Sequence, residues 1–327
     1  MNTDTSIERL AKLIPIDDDN LTAEAETPAA RALLERIVDT SVRPARRSRG
    51  RRHGRLALPA AAAIVGAFAL AVTLSGGGKG GAEPAAAATL HRVAGVARTR
   101  PQLVPRPGQY LYTKSVDAYL DTTVPGGAGT AYNVLVPHVR ETWLGPDGGR
   151  LYETSGTPSF LTARDRERWI ADGSPSLTEP PAETPLSPAK PLDLPSDPDA
   201  LYAVLAHAAA GHGDSLNGEM FTLVGDSLRE TSATPAQRSA LYQVVARIPG
   251  VTLVGETTDS AGRPGIAVAR DDHGFRSTLV FDPQTSALLS EETIALAGNQ
   301  QGFAAGTRVG YATYLVQAIV ASKTSVP

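Results

Sequence analysis

The chain has no cysteine, which excludes a disulfide framework, a thiol nucleophile and any Cys-ligated zinc or iron–sulfur site. Aromatic residues are scarce, at 5%, while alanine, glycine, proline and arginine are abundant. No excess of positive charge exists either: 31 Lys and Arg face 34 Asp and Glu. A net of −3 argues against a nucleic-acid binder working by overall basicity. The 327 residues allow two domains, or one large domain with extensions.

What positive charge there is collects in one place. Residues 1–40 carry nine acids and four bases, whereas residues 41–55 carry seven arginines and no acid: Arg43, Arg46, Arg47, Arg49, Arg51, Arg52 and Arg55. Directly after them, residues 56–75 read LALPAAAAIVGAFALAVTLS, twenty residues without a charge. A helix of that length covers about 30 Å, the thickness of a bilayer's hydrocarbon core. Its eight strongly apolar residues favour insertion by only about 2–5 kcal/mol, so the span is a modest one. A cleaved signal peptide fits poorly, because 55 residues precede the apolar stretch. The arginine band ahead of the stretch, with only Lys79 in the ten residues behind it, puts the amino-terminal side in the cytoplasm.

The cytoplasmic segment, residues 1–55, is too short for a core of its own. Thr5-Ser6-Ile7-Glu8 is a capping box, and Ile7, Leu10 and Ile14 form a helical stripe that Pro15 ends. Thr27-Pro28 opens a second stripe of Leu33, Leu34 and Ile37. Two amphipathic segments without a core either fold on a partner, stay disordered or lie along the inner leaflet. Asp17-Asp18-Asp19-Asn20 lacks the glycine and distal glutamate of a calcium loop, so it reads as a solvated connector.

Beyond the span, residues 76–88 read as a Gly/Ala/Pro tether and residues 89–327 as an α+β domain. Helices are expected over 86–98, 162–171, 198–210, 220–229 and 235–248. Strands are expected over 109–116, 132–144 and 150–154, followed by a carboxy-terminal meander over 251–256, 265–270, 276–281 and 288–296. Residues 310–321 fit strand or helix. The proline-rich stretch 173–198 reads as an exposed, weakly structured loop.

Candidate chemistry is thin. Gly213-Asp214-Ser215-Leu216 and Gly225-Asp226-Ser227-Leu228 both spell the GDSL hydrolase signature. That family places its base in a D-x-x-H downstream, and no such motif exists here. His207 and His212 are five apart and do not stack on one helical face. Glu141, Glu153, Glu291 and Glu292 fall in expected strands without an evident pairing. No catalytic, cofactor-binding or metal-binding residue is assigned.

The phrases GQYLYTKS, ETWLGPDGGRLYET, FTLVGDSLRET, ARIPGVTLVGETTDSAGRPGIAVARDD and LVFDPQTSALLSEET, in a chain ordered as acidic helices, arginine band, span, tether and outer domain, carry a resemblance. The chain resembles a family of actinobacterial single-pass membrane proteins of unknown function, typically encoded beside an extracytoplasmic-function sigma factor. The resemblance implies an anti-sigma or envelope-sensing role without catalysis, with residues 1–40 meeting the sigma factor through Ile7, Leu10, Ile14, Leu33, Leu34 and Ile37. The H-x-x-x-C-x-x-C of zinc anti-sigma factors is absent, so no metal-centred module is expected. The D-P-x-T-x-x-L-L phrase at Asp282–Leu289 is similar to lipoprotein-carrier-like half-barrels, which implies a curved antiparallel sheet. The alternatives are a membrane-tethered carrier of apolar ligands and, with less support, an extracytoplasmic hydrolase. Expected partners are thus the plasma membrane, a sigma factor and an extracytoplasmic ligand, with no direct nucleic-acid binding.

Overall fold

A computed structural model describes residues 81–123, 131–188, 192–229 and 233–327. The arginine band, the stretch 56–75 and both stripes of residues 1–40 lie outside the described residues. Among the described residues no helix is long and apolar enough to cross a membrane.

The first helix, α1 (Pro84–Thr99), opens with proline in its first turn, where the missing N–H costs nothing. It begins two residues before the expected start, so residues 84–88 belong to the domain and not to the tether. Leu90, Val93, Ala94 and Ala97 lie buried along one stripe, which faces a later helix, α5. Four more helices follow: α2 (Ala163–Ala171), α3 (Pro198–Ala209), α4 (Leu216–Arg229) and α5 (Pro235–Val245). Three of them start on readable caps. Thr162 accepts from the Asp165 N–H, Asp197 accepts from the N–H groups of Asp199 and Ala200, and Thr234 and Gln237 form a full capping box.

Eleven strands form one antiparallel, open, curved sheet: β1 (Tyr110–Thr123), β2 (Tyr132–Leu135), β3 (His138–Gly145), β4 (Gly148–Ser155), β5 (Ser159–Phe160), β6 (Ala182–Leu186), β7 (Val251–Thr258), β8 (Pro264–Asp272), β9 (Phe275–Phe281), β10 (Leu288–Ala295) and β11 (Arg308–Val320). The main order is β6-β4-β3-β1-β11-β10-β9-β8-β7, with β2 pairing β1 and β5. The first and last long strands are therefore neighbours at the centre, joined from Tyr110↔Val320 to Tyr119↔Gly310. Residues 310–320 of the segment 310–321, ambiguous in the sequence, belong to strand β11.

Two expectations are corrected. Residues 132–144 are two strands, because Pro137 has no N–H to donate and breaks the ladder between β2 and β3. The proline-rich stretch holds an edge strand, β6, whose Ala182–Leu186 pairs with Glu153–Gly149 of β4. Pro185 is tolerated there because an edge strand leaves one side unpaired.

The main core lies between α1, α3, α4, α5 and the β7–β10 half of the sheet. Phe221, Leu241, Tyr242, Ile248, Val268 and Phe281 are all buried within it, each large side chain worth about 1.5–3 kcal/mol of burial. The opposite sheet face carries smaller clusters. There the carboxy-terminal residues return over β3 and β4: Trp143 Nε1 donates to Ser325 O and Arg150 Nε to Lys323 O, both at 2.6 Å. The Arg150 guanidinium also lies 4.1 Å over the Trp143 ring.

Candidate functional site

Strand registers place one row of side chains across the sheet: Val268, Leu279, Glu291, Ala312, Asp117, His138 and Ser155 are successive partners. Val268 and Leu279 sit in the helix-covered core, so the whole row lies on the helix-bearing face. Its chemistry changes at Glu291. On the β7–β9 side the row is apolar, and from β10 onward it turns ionisable.

The change coincides with the end of α4. A Cβ on Gly225 would stand 2.8 Å from Glu291 Oε2, so glycine is what lets the helix approach that carboxylate. Tyr314 of β11 donates its hydroxyl to Glu291. One turn on, Arg229 pairs with Asp226 and donates to the Tyr119 hydroxyl at 3.4 Å. Burial works against the Arg229 cation, yet Tyr314, Glu291 and Tyr119 hold its pKa above the ordinary arginine value. Burial, with the Glu291 charge beside it, pushes the Tyr119 phenol up to about 12.

Further along, Glu153 of β4 receives two β3 partners, His138 Nδ1 and Arg140 Nε, each at 3.1 Å. The His138 contact holds Glu153 below the usual carboxylate range and raises His138 above an ordinary histidine. Asp117, directly opposite His138, is held above the usual carboxylate range by burial, against the pull of Arg140. The result is a seam of acids, bases and phenols across β4, β3, β1, β11 and β10, ending under α4. It can exchange protons and bind polar groups, and it contains no nucleophile set against a base.

The GDSL pairs have structural explanations. Ser215 precedes α4, and its Oγ accepts from the Gly218 N–H at 3.0 Å while donating to Asp272. Arg270 Nη1 lies 2.8 Å from the same carboxylate oxygen. His273 stands 3.7 Å from the other Asp272 oxygen, so its imidazole contacts the acid and not the serine. Ser227 is buried inside α4 and donates to Leu223 O at 2.7 Å. Ser215 gives its proton to a carboxylate that Arg270 also holds and Ser227 to a backbone carbonyl, so neither hydroxyl faces the histidine base of the hydrolase signature.

The four glutamates that stand out in the sequence all have partners: Glu141 with Lys114 and Tyr112, Glu153 with His138 and Arg140, Glu291 with Tyr314, and Glu292 with Arg308. Sequence reasoning listed Glu153 and Glu291 but missed Asp117, His138, Arg140 and Arg229. The available signal was polar residues at a spacing of two, Asp117-x-Tyr119 and His138-x-Arg140, inside strands otherwise bound for burial. Among the described residues no group of three or more His, Asp or Glu is placed to hold a metal ion.

The described residues form an α+β domain with a curved, open antiparallel sheet. No family model and no curated protein matches the chain. Among solved structures, a crystal structure of MucB in complex with MucA(peri) is similar at 16% identity over 72% of this chain and 56% of that chain, with a TM-score of 0.23. A likeness of that size carries no argument for fold or partner.

Proposed function

We propose that this protein is a single-pass membrane regulator: residues 56–75 cross the bilayer, residues 1–40 meet a sigma factor in the cytoplasm, and the α+β domain reads an envelope ligand or state outside. The observation that carries the reading is the seven-arginine band set directly before twenty uncharged residues, with a folded domain beginning soon after. Ionisable groups gathered on the open half of the sheet support a sensing role, since they respond to charge and protons without performing a reaction. A carrier of apolar ligands has less support, because the open face would have to be apolar there.

The test uses the full-length chain in cells. A phosphatase fused behind Pro327 is expected to be active and a β-galactosidase at the same place inactive. A sigma factor is expected to co-purify, and Asp at Ile7, Leu10, Leu33 and Ile37 to abolish that. The opposite fusion pattern overturns the topology. Unchanged sigma output on deletion overturns the regulatory role.

A further inference from the structure

α2 does not serve the core. Its one buried residue is Asp165, whose Oδ1 accepts from the Asn133 N–H at 3.0 Å and ties the helix to β2. Its apolar side chains point elsewhere: Ile170 is 47% exposed, and Trp169 leans on Phe160 of β5 with ring centres 5.2 Å apart. The chain then reverses through Gly173 and Ser174, at φ 88° and 54°. Ser174 N–H closes back on Trp169 O at 3.0 Å. A serine in the left-handed region costs free energy, and such positions collect at binding sites. The reversal lays residues 174–178 beside the indole, whose Nε1 donates to Pro175 O at 2.9 Å.

These elements border an open groove of about 700 Å³, lined by Phe160, Leu161, Trp169 and Leu177 with Arg166 among them. That volume is in the range of small-molecule sites. Arg166 is the single charged side chain in the lining, and the nearby acid, Asp165, is turned away into the Asn133 amide. Among the described residues no carboxylate forms an ion pair with Arg166. The wall is also preorganised, because the indole is fixed by its hydrogen bond before any ligand arrives.

We propose that this groove binds a small ring-bearing organic anion, its ring against Phe160 and Trp169 and its charge on the Arg166 guanidinium. The proposal stands apart from the membrane reading and from the seam.

Calorimetry on the purified full-length chain compares naphthalene-2-sulfonate with its neutral twin, naphthalene-2-sulfonamide. The sulfonate is expected to bind one-to-one, and the sulfonamide at least about tenfold more weakly. Arg166→Gln reduces the sulfonate to the level of the sulfonamide and leaves the melting temperature unchanged, since Arg166 is exposed. Trp169→Leu and, separately, Phe160→Leu weaken both probes. Absence of binding by the wild type, equal affinity for the two probes, or full sulfonate affinity in Arg166→Gln overturns the proposal.

Discussion

On the β7–β9 side of the sheet the helix-bearing face is mainly apolar and roofed by four helices, its Arg270 and Asp272 paired beside the start of α4, whereas from β10 through β4 the same face presents Glu291, Asp117, His138, Arg140 and Glu153. The registers make this one continuous surface, so the difference lies in side-chain choice and not in backbone architecture. Stability is concentrated where burial is complete. Titratable groups are concentrated where charges are half-buried and their partners hold each other's protonation states.

That contrast can be broken most severely from the roofed side. Phe221→Ala is expected to cost about 3–5 kcal/mol, seen as a lower denaturation midpoint, because the ring lies in the middle of the helix–sheet core. At the junction, Arg229→Met leaves the buried Asp226 carboxylate unpaired and should cost about 3 kcal/mol, most of it recovered in the double variant Asp226→Asn/Arg229→Met. Ser215→Ala should cost about 1 kcal/mol, the loss of a helix cap, without altering labelling by a serine-directed fluorophosphonate.

The smallest effect is a pH slope from the open side. His138 is raised from 6.5 in the folded state, so its contribution is complete below about pH 6.5 and disappears as pH rises through the folded value. Asp117, raised from 3.8, acts in the same direction, its folded form also binding the proton more tightly. Glu153, lowered from 4.5, acts oppositely and only as pH falls through its folded value. Stability therefore declines as pH rises above about 6.5, and His138→Gln should flatten that decline in urea titrations. An unchanged slope would show that the seam is not proton-linked through this residue.

Local grammar made much of the fold legible. The Thr234-Pro235 cap, the Asp197-Pro198 cap and the meander turns mark elements within a few residues of their observed bounds. The Asp272-His273-Gly274 turn is legible for the same reason, its His273 and Gly274 at φ 44° and 85° matching a tight hairpin. Signals failed where a distant contact decided the matter. α4 begins at Leu216 and not at Met220 because Gly218 is retained inside it: a Cβ there would fall 2.0 Å from Asp272 Oδ2, a residue more than fifty positions away. The seam was illegible for the same reason, since Asp117 meets His138 and Arg229 only once β1, β3 and α4 are assembled. The groove at Trp169 depends on a reversal at Ser174, a residue type that gives no warning of a left-handed backbone.

The pairing of β1 with β11 has a consequence for how the domain is made. The sheet's midline joins a strand early in the domain to a thirteen-residue strand nearly two hundred positions later, so β1 keeps an open ladder until residues 308–320 have been made. During biogenesis the early strands must be kept from wrong partners while the rest of the polypeptide emerges. A chain stopped before Arg308 would leave two half-sheets without the ladder that joins β1 to β10.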